Sequence, residues 1–235
     1  PFFHIEQSAE RWSWPVARAG FDPAQVPAEK ARRFRDSFRH RLFPDATIRR
    51  EGFVYLPLQG RLSERRSFQT CTPLEMIERL LEHEQTRPVV ATLHPRETYS
   101  ETDLGALGKL AQHPRLSVQT GGPARWLPAC DYVVTQNSSV AFSGYFLNKP
   151  AVLFADVDFH HIAANVRDIG AAEAIRMAPE MRPDFAAYLW WFLRAQSIHT
   201  GRSDAPERIH AVLDRAGWPG LEWCGTGQAS VSRLT

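Results

Sequence analysis

A polar triplet, Asn137-Ser138-Ser139, stands where an apolar run gives way to a predicted helix. Two hydroxyl groups, together with the free amides of a first helical turn at the positive end of its dipole, can form a phosphate site. Serine and asparagine are also among the residues that cap helices best, so a purely structural role fits the triplet at least as well. The triplet therefore predicts either a phosphate site or a well-capped helix.

His94 and Pro95 form a second candidate site, after another apolar run. Proline restrains the residue before it to extended backbone, so we expect the imidazole of His94 to project from the tip of a strand. An imidazole in that position can donate a hydrogen bond to a phosphate or to a leaving group. A histidine that merely caps the edge of a sheet is the alternative.

Two glycine-containing pairs give weaker signals. Gly60, in the pair Gln59-Gly60, would let the backbone approach a ligand closely, although a plain turn explains the pair at least as well. The Thr120-Gly121 pair also follows an apolar run, but its loop lacks the GxGxxG spacing of a dinucleotide site. Both pairs become candidate ligand-binding residues only if the fold places them beside the other candidates.

The neighbouring His160 and His161 raise the question of a metal site. Adjacent side chains of an extended segment point to opposite sides, and no carboxylate–histidine helix motif accompanies this pair. We therefore predict no metal site and no required cofactor.

Alternating apolar runs and helical segments predict the framework that positions these residues. The first predicted helix opens with Thr72 and Glu75, which have the spacing of a capping box. Strands are predicted at 53–58, 88–93, 116–119, 132–136 and 151–154. This order favours an α/β fold, in which a Rossmann-like parallel sheet carries helices on both faces, with helical additions at both ends of the chain.

The candidate residues all follow predicted strands. Ligands of open parallel sheets bind outside the carboxyl ends of the strands. We therefore expect one pocket at that edge of the sheet, surrounded by Gln59, His94, Thr120 and Ser138.

Composition narrows the class of protein. Of the 235 residues 43% are hydrophobic and 23% charged, which are ordinary globular values, and a net charge of +2 is too small to predict nucleic-acid binding. No apolar stretch approaches the roughly 18 residues of a membrane-spanning helix. Three scattered cysteines without a CxxC pair favour a reducing, cytoplasmic setting.

Three segments can be distinguished along the chain. Residues 1–51, rich in arginine and aromatic side chains with a predicted helix at 28–40, are a lead-in segment or the remnant of a preceding domain. Residues 52–216 form the Rossmann-like domain, and 217–235 are a glycine- and serine-rich tail. The sequence begins without methionine, which leaves open that it is a piece of a longer protein.

The ordered motifs between residues 54 and 162 resemble those of the bacterial capsule polysaccharide synthesis proteins, which include transferases of the sugar acid Kdo from CMP-Kdo. In that family one strand ends in Leu-Gln and the next in His-Pro. A third strand leads to Asn-Ser-Ser, and a Lys-Pro turn precedes another apolar strand. Bacterial sialyltransferases that use CMP-sialic acid share the His-Pro and Ser-Ser motifs. The corresponding residues here are Leu58-Gln59, His94-Pro95, Asn137-Ser138-Ser139 and Lys149-Pro150.

The resemblance implies the nucleotide-sugar-binding half of a GT-B glycosyltransferase. It implies a CMP-activated sugar acid of the Kdo or sialic acid type as donor, and a glycan or glycolipid acceptor in capsule or surface polysaccharide synthesis. Such an enzyme would lie in the cytoplasm or peripherally at the inner membrane. The nucleotide-binding residues would be Gln59, Gly60, His94, Pro95, Thr120, Gly121, Asn137, Ser138 and Ser139.

The catalytic residues implied by the resemblance are His94 and an acidic residue shortly after Gln59. Such transferases commonly carry an aspartate there, whereas this chain offers only Glu64, flanked by arginines. About fifty residues before Gly52 cannot build the second Rossmann domain of a GT-B enzyme. A longer chain or a companion protein would therefore supply the acceptor side.

Two other functions fit the same motifs. A non-catalytic assembly or regulatory module of polysaccharide synthesis would keep the fold and the anion site without turnover. A UDP-sugar epimerase of the same architecture ranks lower, because a diphosphate needs more contacts than one Ser-Ser step provides.

Overall fold

The structure, a computed structural model, describes residues 2–218. The tail predicted at 217–235 lies outside the described residues from position 219 onward. Within the described part the strands are β1 (Phe2–Phe3), β2 (Val54–Pro57), β3 (Val89–Leu93), β4 (Leu116–Thr120), β5 (Tyr132–Thr135), β6 (Ala151–Leu153), β7 (Ala164–Asn165) and β8 (Ile198–His199).

Six of these strands form one parallel sheet in the order β4-β3-β2-β5-β6-β7, while β1 and β8 pair separately and antiparallel. This is the order of a doubly wound Rossmann sheet, in which the direction of winding reverses between β2 and β5. The predicted fold class is confirmed. The short β7 is the one strand of the sheet that the sequence did not predict.

Helices cover both faces of the sheet. In the described residues they are α1 (Pro15–Arg18), α2 (Ala28–Leu42), α3 (Pro73–His83), α4 (Glu101–Leu110), α5 (Pro123–Trp126), α6 (Ser139–Tyr145), α7 (Val166–Ile169), α8 (Ala171–Met177), α9 (Phe185–Trp190) and α10 (Ala205–Arg215), and α9 continues into a π-helical turn at Trp191–Ala195. One core joins α3, α4 and α8 to Val54 and Leu56, and the other joins α6 and α9 to Tyr55. Alternate residues of β2 thus enter opposite cores, as expected for a strand buried on both faces.

Local capping explains where α3 begins. The Thr72 hydroxyl oxygen accepts from the Glu75 amide at 3.1 Å, and the Glu75 carboxylate accepts from the Thr72 amide at 2.7 Å. Pro73 occupies the first helical position, where its missing N–H costs nothing. The predicted capping box is confirmed, and it fixes the first residue of α3, the helix that connects β2 to β3.

The N-terminal segment packs against the sheet domain. Within it, α2 lies against α9, and the carbonyl oxygens of Ala17 and Ala19 bind the rings of His160 and His161 at 3.0 Å each. These two rings stack with centroids 4.3 Å apart, so the expectation that they point to opposite sides was wrong. The backbone turns here instead of running extended.

His161 serves the packing of this segment. Burial and the neighbouring His160 lower the pKa of His161 to about 4, so the ring is neutral at physiological pH.

Across residues 2–218, no group of three or more His, Cys, Asp or Glu side chains could hold a metal ion. The same residues include no helix that is long and apolar enough to cross a membrane.

Candidate functional site

The carboxyl ends of β3, β2 and β5 bring three of the predicted residues side by side. The register pairs Pro57 with Thr92, and the Thr135 hydroxyl donates to the Pro57 carbonyl oxygen at 3.3 Å. Two residues beyond this row stand His94, Gln59 and Asn137, on neighbouring strands about 5 Å apart. The switch point lies between Gln59 on β2 and Asn137 on β5, and doubly wound sheets bind their ligands at this point.

Thr120 and Gly121 lie farther away. Thr120 ends β4, the edge strand, where it pairs with Leu93, and both Thr120 and Gly121 are exposed. β4 is three strands from β5 in the sheet. The structure therefore places this pair beyond His94, at the margin of the candidate site.

A tight turn fixes the hydrogen-bonding state of His94. The Glu97 amide donates to the His94 carbonyl oxygen at 3.2 Å, and the Arg96 amide donates to Nδ1 of the His94 ring at 3.2 Å. A neutral imidazole that accepts at Nδ1 carries its proton on Nε2. The exposed His94 ring thus offers an N–H donor at the end of β3, and the exposed Pro95 shapes the turn that holds it.

Two glutamine oxygens at the switch point have no partner within residues 2–218. Gln136 is only 2% exposed, and its side-chain nitrogen donates to the Cys71 carbonyl oxygen at 3.0 Å, while Oε1 accepts nothing. Oε1 of Gln59 is likewise buried without a partner. Both oxygens have almost no accessible surface, and each unpaired buried acceptor costs about 1–3 kcal/mol.

Gln136 is a site residue that the sequence analysis missed. It immediately precedes Asn137, but the pattern showed it only as the last residue of an apolar strand. Its unsatisfied oxygen becomes visible only when its neighbours are placed.

A carboxylate lies directly against Gly60. A side-chain carbon at this position would stand 2.5 Å from Oε2 of Glu97, so the Glu97 side chain occupies the space that Gly60 leaves open. The side chain of Glu64, the predicted catalytic carboxylate, is 61% exposed and pairs with Arg61 at 3.3 Å. Glu97 is therefore an acidic group beside the end of β2, which the sequence analysis did not single out.

Ser138 and Ser139 begin α6 beside this row. The Ser138 hydroxyl oxygen accepts from the Val140 amide at 3.3 Å, which is the geometry of an N-cap. Ser138 is half-buried and Ser139 is exposed. The hydroxyl hydrogen of Ser138 is free to point away from the helix, so capping and ligand binding are compatible at this residue.

No model of a known protein family matches the chain, and no curated protein matches it significantly. Among solved structures, the chain is similar to Thermosulfurimonas dismutans KpsC, a beta Kdo 2,7 transferase, with a TM-score of 0.52 and 15% identity over 86% of this chain. This chain covers 64% of that structure, less than two thirds of its length.

Two further structures are more distant. The N-terminal domain of Candida albicans trehalose-6-phosphate phosphatase gives a TM-score of 0.46 and 12% identity over 82% of this chain and 47% of its own. The structure of TarM gives 0.44 and 11% identity, over 72% of this chain and 36% of its own. The likeness to the Kdo transferase, together with the strand order, shows that the chain has the fold of one half of a GT-B glycosyltransferase.

Proposed function

We propose that this chain is the nucleotide-sugar-binding half of a glycosyltransferase of surface polysaccharide synthesis, and that its donor is a CMP-activated sugar acid of the Kdo or sialic acid type. The observation that carries the proposal is the pair of hydrogen-bond donors on either side of the end of β2. His94 and Ser138 supply them. The fold shared with a Kdo transferase supports the class of donor.

The phosphate of the donor would lie across the end of β2. His94 and Ser138 flank this strand end on either side, about two strand spacings or 10 Å apart along the backbone. Both side chains extend from exposed or half-buried positions, so they can approach one phosphate from opposite sides.

Transfer would form a bond between an acceptor hydroxyl oxygen and the anomeric carbon of the sugar, with the hydroxyl proton passing to a base. It would break the bond between that carbon and a phosphate oxygen, and the departing CMP would gain negative charge. The Nε2–H of His94 and the hydroxyls of Ser138 and Ser139 would stabilise that charge. Each well-placed donor contributes on the order of 3 kcal/mol to such a transition state. The base that deprotonates the acceptor hydroxyl would be Glu64, released from its ion pair with Arg61, or a group of a companion half that also binds the acceptor.

CMP should stabilise the folded chain more than UDP or GDP does. The donors flank one strand end and suit a single phosphate, whereas a diphosphate would need further contacts. At about one hundred times its dissociation constant, a ligand adds about 2.7 kcal/mol, or roughly 5–10 °C in Tm for a chain of this size. Thermal unfolding with each nucleotide, and with inorganic phosphate as a control, measures this. Equal shifts with all nucleotides, or none with any, would contradict the proposal.

A second candidate function is nucleotide binding without turnover, in an assembly or regulatory module. The exposed position of Glu64, paired with Arg61 on the surface, favours it, because a catalytic carboxylate has to reach the substrate. Release of CMP from CMP-Kdo or CMP-sialic acid in the presence of a glycan acceptor separates the two functions. Binding of CMP without any release would favour the module.

A further inference from the structure

A pocket of about 300 Å³ opens at the carboxyl ends of β6 and β7, next to the switch point. This volume is at the lower end of the range for small-molecule sites, about 300–1,000 Å³. Ala155 and Val157, which follow β6, form part of its lining, and Trp12 of the N-terminal segment contributes an aromatic side chain. Its polar lining consists of Asp156, His160, Asn165, Arg167 and Asp168.

The charge of the pocket selects against an anion. Arg167 Nε lies 2.6 Å from Asp156 Oδ1, and an Arg167 nitrogen also donates to the Phe68 carbonyl oxygen at 3.3 Å. The guanidinium of Arg167 is therefore paired within the protein. The Asp168 carboxylate has no hydrogen-bond or ion-pair partner within residues 2–218. The lining is therefore net negative, with one open carboxylate that favours hydroxyl donors over a phosphate.

Trp12 is held in place beside these polar groups. Its ring stacks on Phe68 with centroids 4.9 Å apart and an interplanar angle of 28°. The preceding residue, Arg11, pairs with the buried Asp158 at 2.7 Å, which anchors the backbone at this point. A fixed aromatic side chain is a stacking partner for a planar base.

The pocket is close to the position proposed for the phosphate. Thr135 of β5 is paired with Leu153 of β6, so Ala155 in the pocket lining follows its strand in step with Asn137. Adjacent strands are about 5 Å apart. A ribose ring, which joins a base to its 5′-phosphate, can bridge that separation.

The geometry points to this pocket as the nucleoside subsite, with the ribose hydroxyls donating to Asp168 and the base packed against Trp12. A carboxylate that accepts from ribose hydroxyls is a known device of nucleotide-binding sheets. The assignment rests on the proposed function, because it takes the phosphate to lie beside Asn137 and Ser138. It goes further by placing the nucleoside over β6 and β7, away from His94.

Titration calorimetry with CMP and with 2′,3′-dideoxy-CMP tests the subsite. Wild type should bind CMP about tenfold more tightly than the dideoxy form, because the hydroxyls bond to a charged group. In Asp168→Asn this preference should largely disappear. Trp12→Ala should weaken both ligands about tenfold, and Trp12→Phe should recover most of the loss.

Asp45→Asn is the matched control, since it removes an exposed carboxylate outside the pocket and should bind like wild type. Thermal unfolding of each variant confirms that it is folded. If Asp168→Asn keeps the preference and Trp12→Ala binds CMP normally, while replacement of Ser138 and Ser139 still weakens binding, the subsite is wrong and the proposed function stands. If wild type binds no nucleotide, both are overturned.

Discussion

Replacing Glu84 with glutamine should lower the free energy of unfolding by about 3 kcal/mol at pH 7. Glu84 lies between α3 and β3 and is 5% exposed. Burial alone would raise its pKa, but hydrogen bonds from the hydroxyls of Thr86 and Tyr132, at 2.7 and 2.8 Å, and from the amides of Thr86 and Arg87 lower the pKa to about 2. A shift from 4.5 to 2 corresponds to about 3 kcal/mol in favour of the folded, ionised form.

The effect should depend on pH in a defined direction. Because the folded-state pKa of Glu84 is below its ordinary value, the stabilisation is complete above about pH 5 and is lost as the pH falls toward 2. The difference between wild type and Glu84→Gln should therefore shrink to roughly half at pH 3. Urea unfolding at pH 7, 5 and 3 measures it.

Glu84→Gln also breaks the ion pair between Glu84 and Arg87 at 3.3 Å. Arg87 keeps its ion pair with Asp131 at 2.8 Å, so the substitution does not leave a cation unpaired. Glu82→Gln, on the exposed end of α3, is the control, since that side chain is 70% exposed and its removal should change stability by less than about 0.5 kcal/mol. Equal losses for both variants, or a difference that does not change with pH, would contradict the assignment.

The sequence predicted those elements whose signals lie within a short stretch of the chain. The capping box of Thr72 and Glu75 lies within the first turn of α3, so its pattern is visible in a short stretch of sequence. β7 has two residues, Ala164–Asn165, and it is a strand only because its backbone pairs with β6. No periodicity can show so short a strand.

The site was predicted less completely, for a related reason. The alternation of strands and helices was enough to place His94, Gln59 and Asn137 at one edge. It could not show that Glu97 would fold back over Gly60, or that Oε1 of Gln136 would be buried without a donor. Those facts depend on contacts between residues far apart in sequence.

The contact of the N-terminal segment with the pocket also could not be predicted from the sequence. Trp12 precedes Phe68 by more than fifty positions, and it reaches the pocket beyond β6 only because the segment packs on the sheet domain. Arginine and aromatic content predicted that this segment differs from the rest of the chain. It did not predict which side chain would reach a pocket.

The phosphate site should lose CMP affinity when its donors are removed. Replacing Ser138 and Ser139 together with alanine should weaken CMP binding by at least tenfold, because hydrogen bonds to a charged group contribute about 1.5–3 kcal/mol each. His94→Ala should cause a similar loss, since it removes the Nε2–H donor that the turn orients. If all three side chains touch one phosphate, the combined variant should lose less than the sum of the separate effects. Titration calorimetry with CMP gives the affinities.

Two controls of the same residue types separate binding from folding. Ser143→Ala alters a serine within α6, and His113→Ala removes a ring whose Nδ1 accepts from the amide two residues on, as that of His94 does, but before β4 rather than after β3. Both should bind CMP like wild type. If Ser138 and Ser139 only cap α6, their replacement should cost about 1 kcal/mol of stability and leave CMP affinity unchanged. Unchanged affinity in the serine pair and in His94→Ala would contradict a phosphate site formed by these side chains at the end of β2.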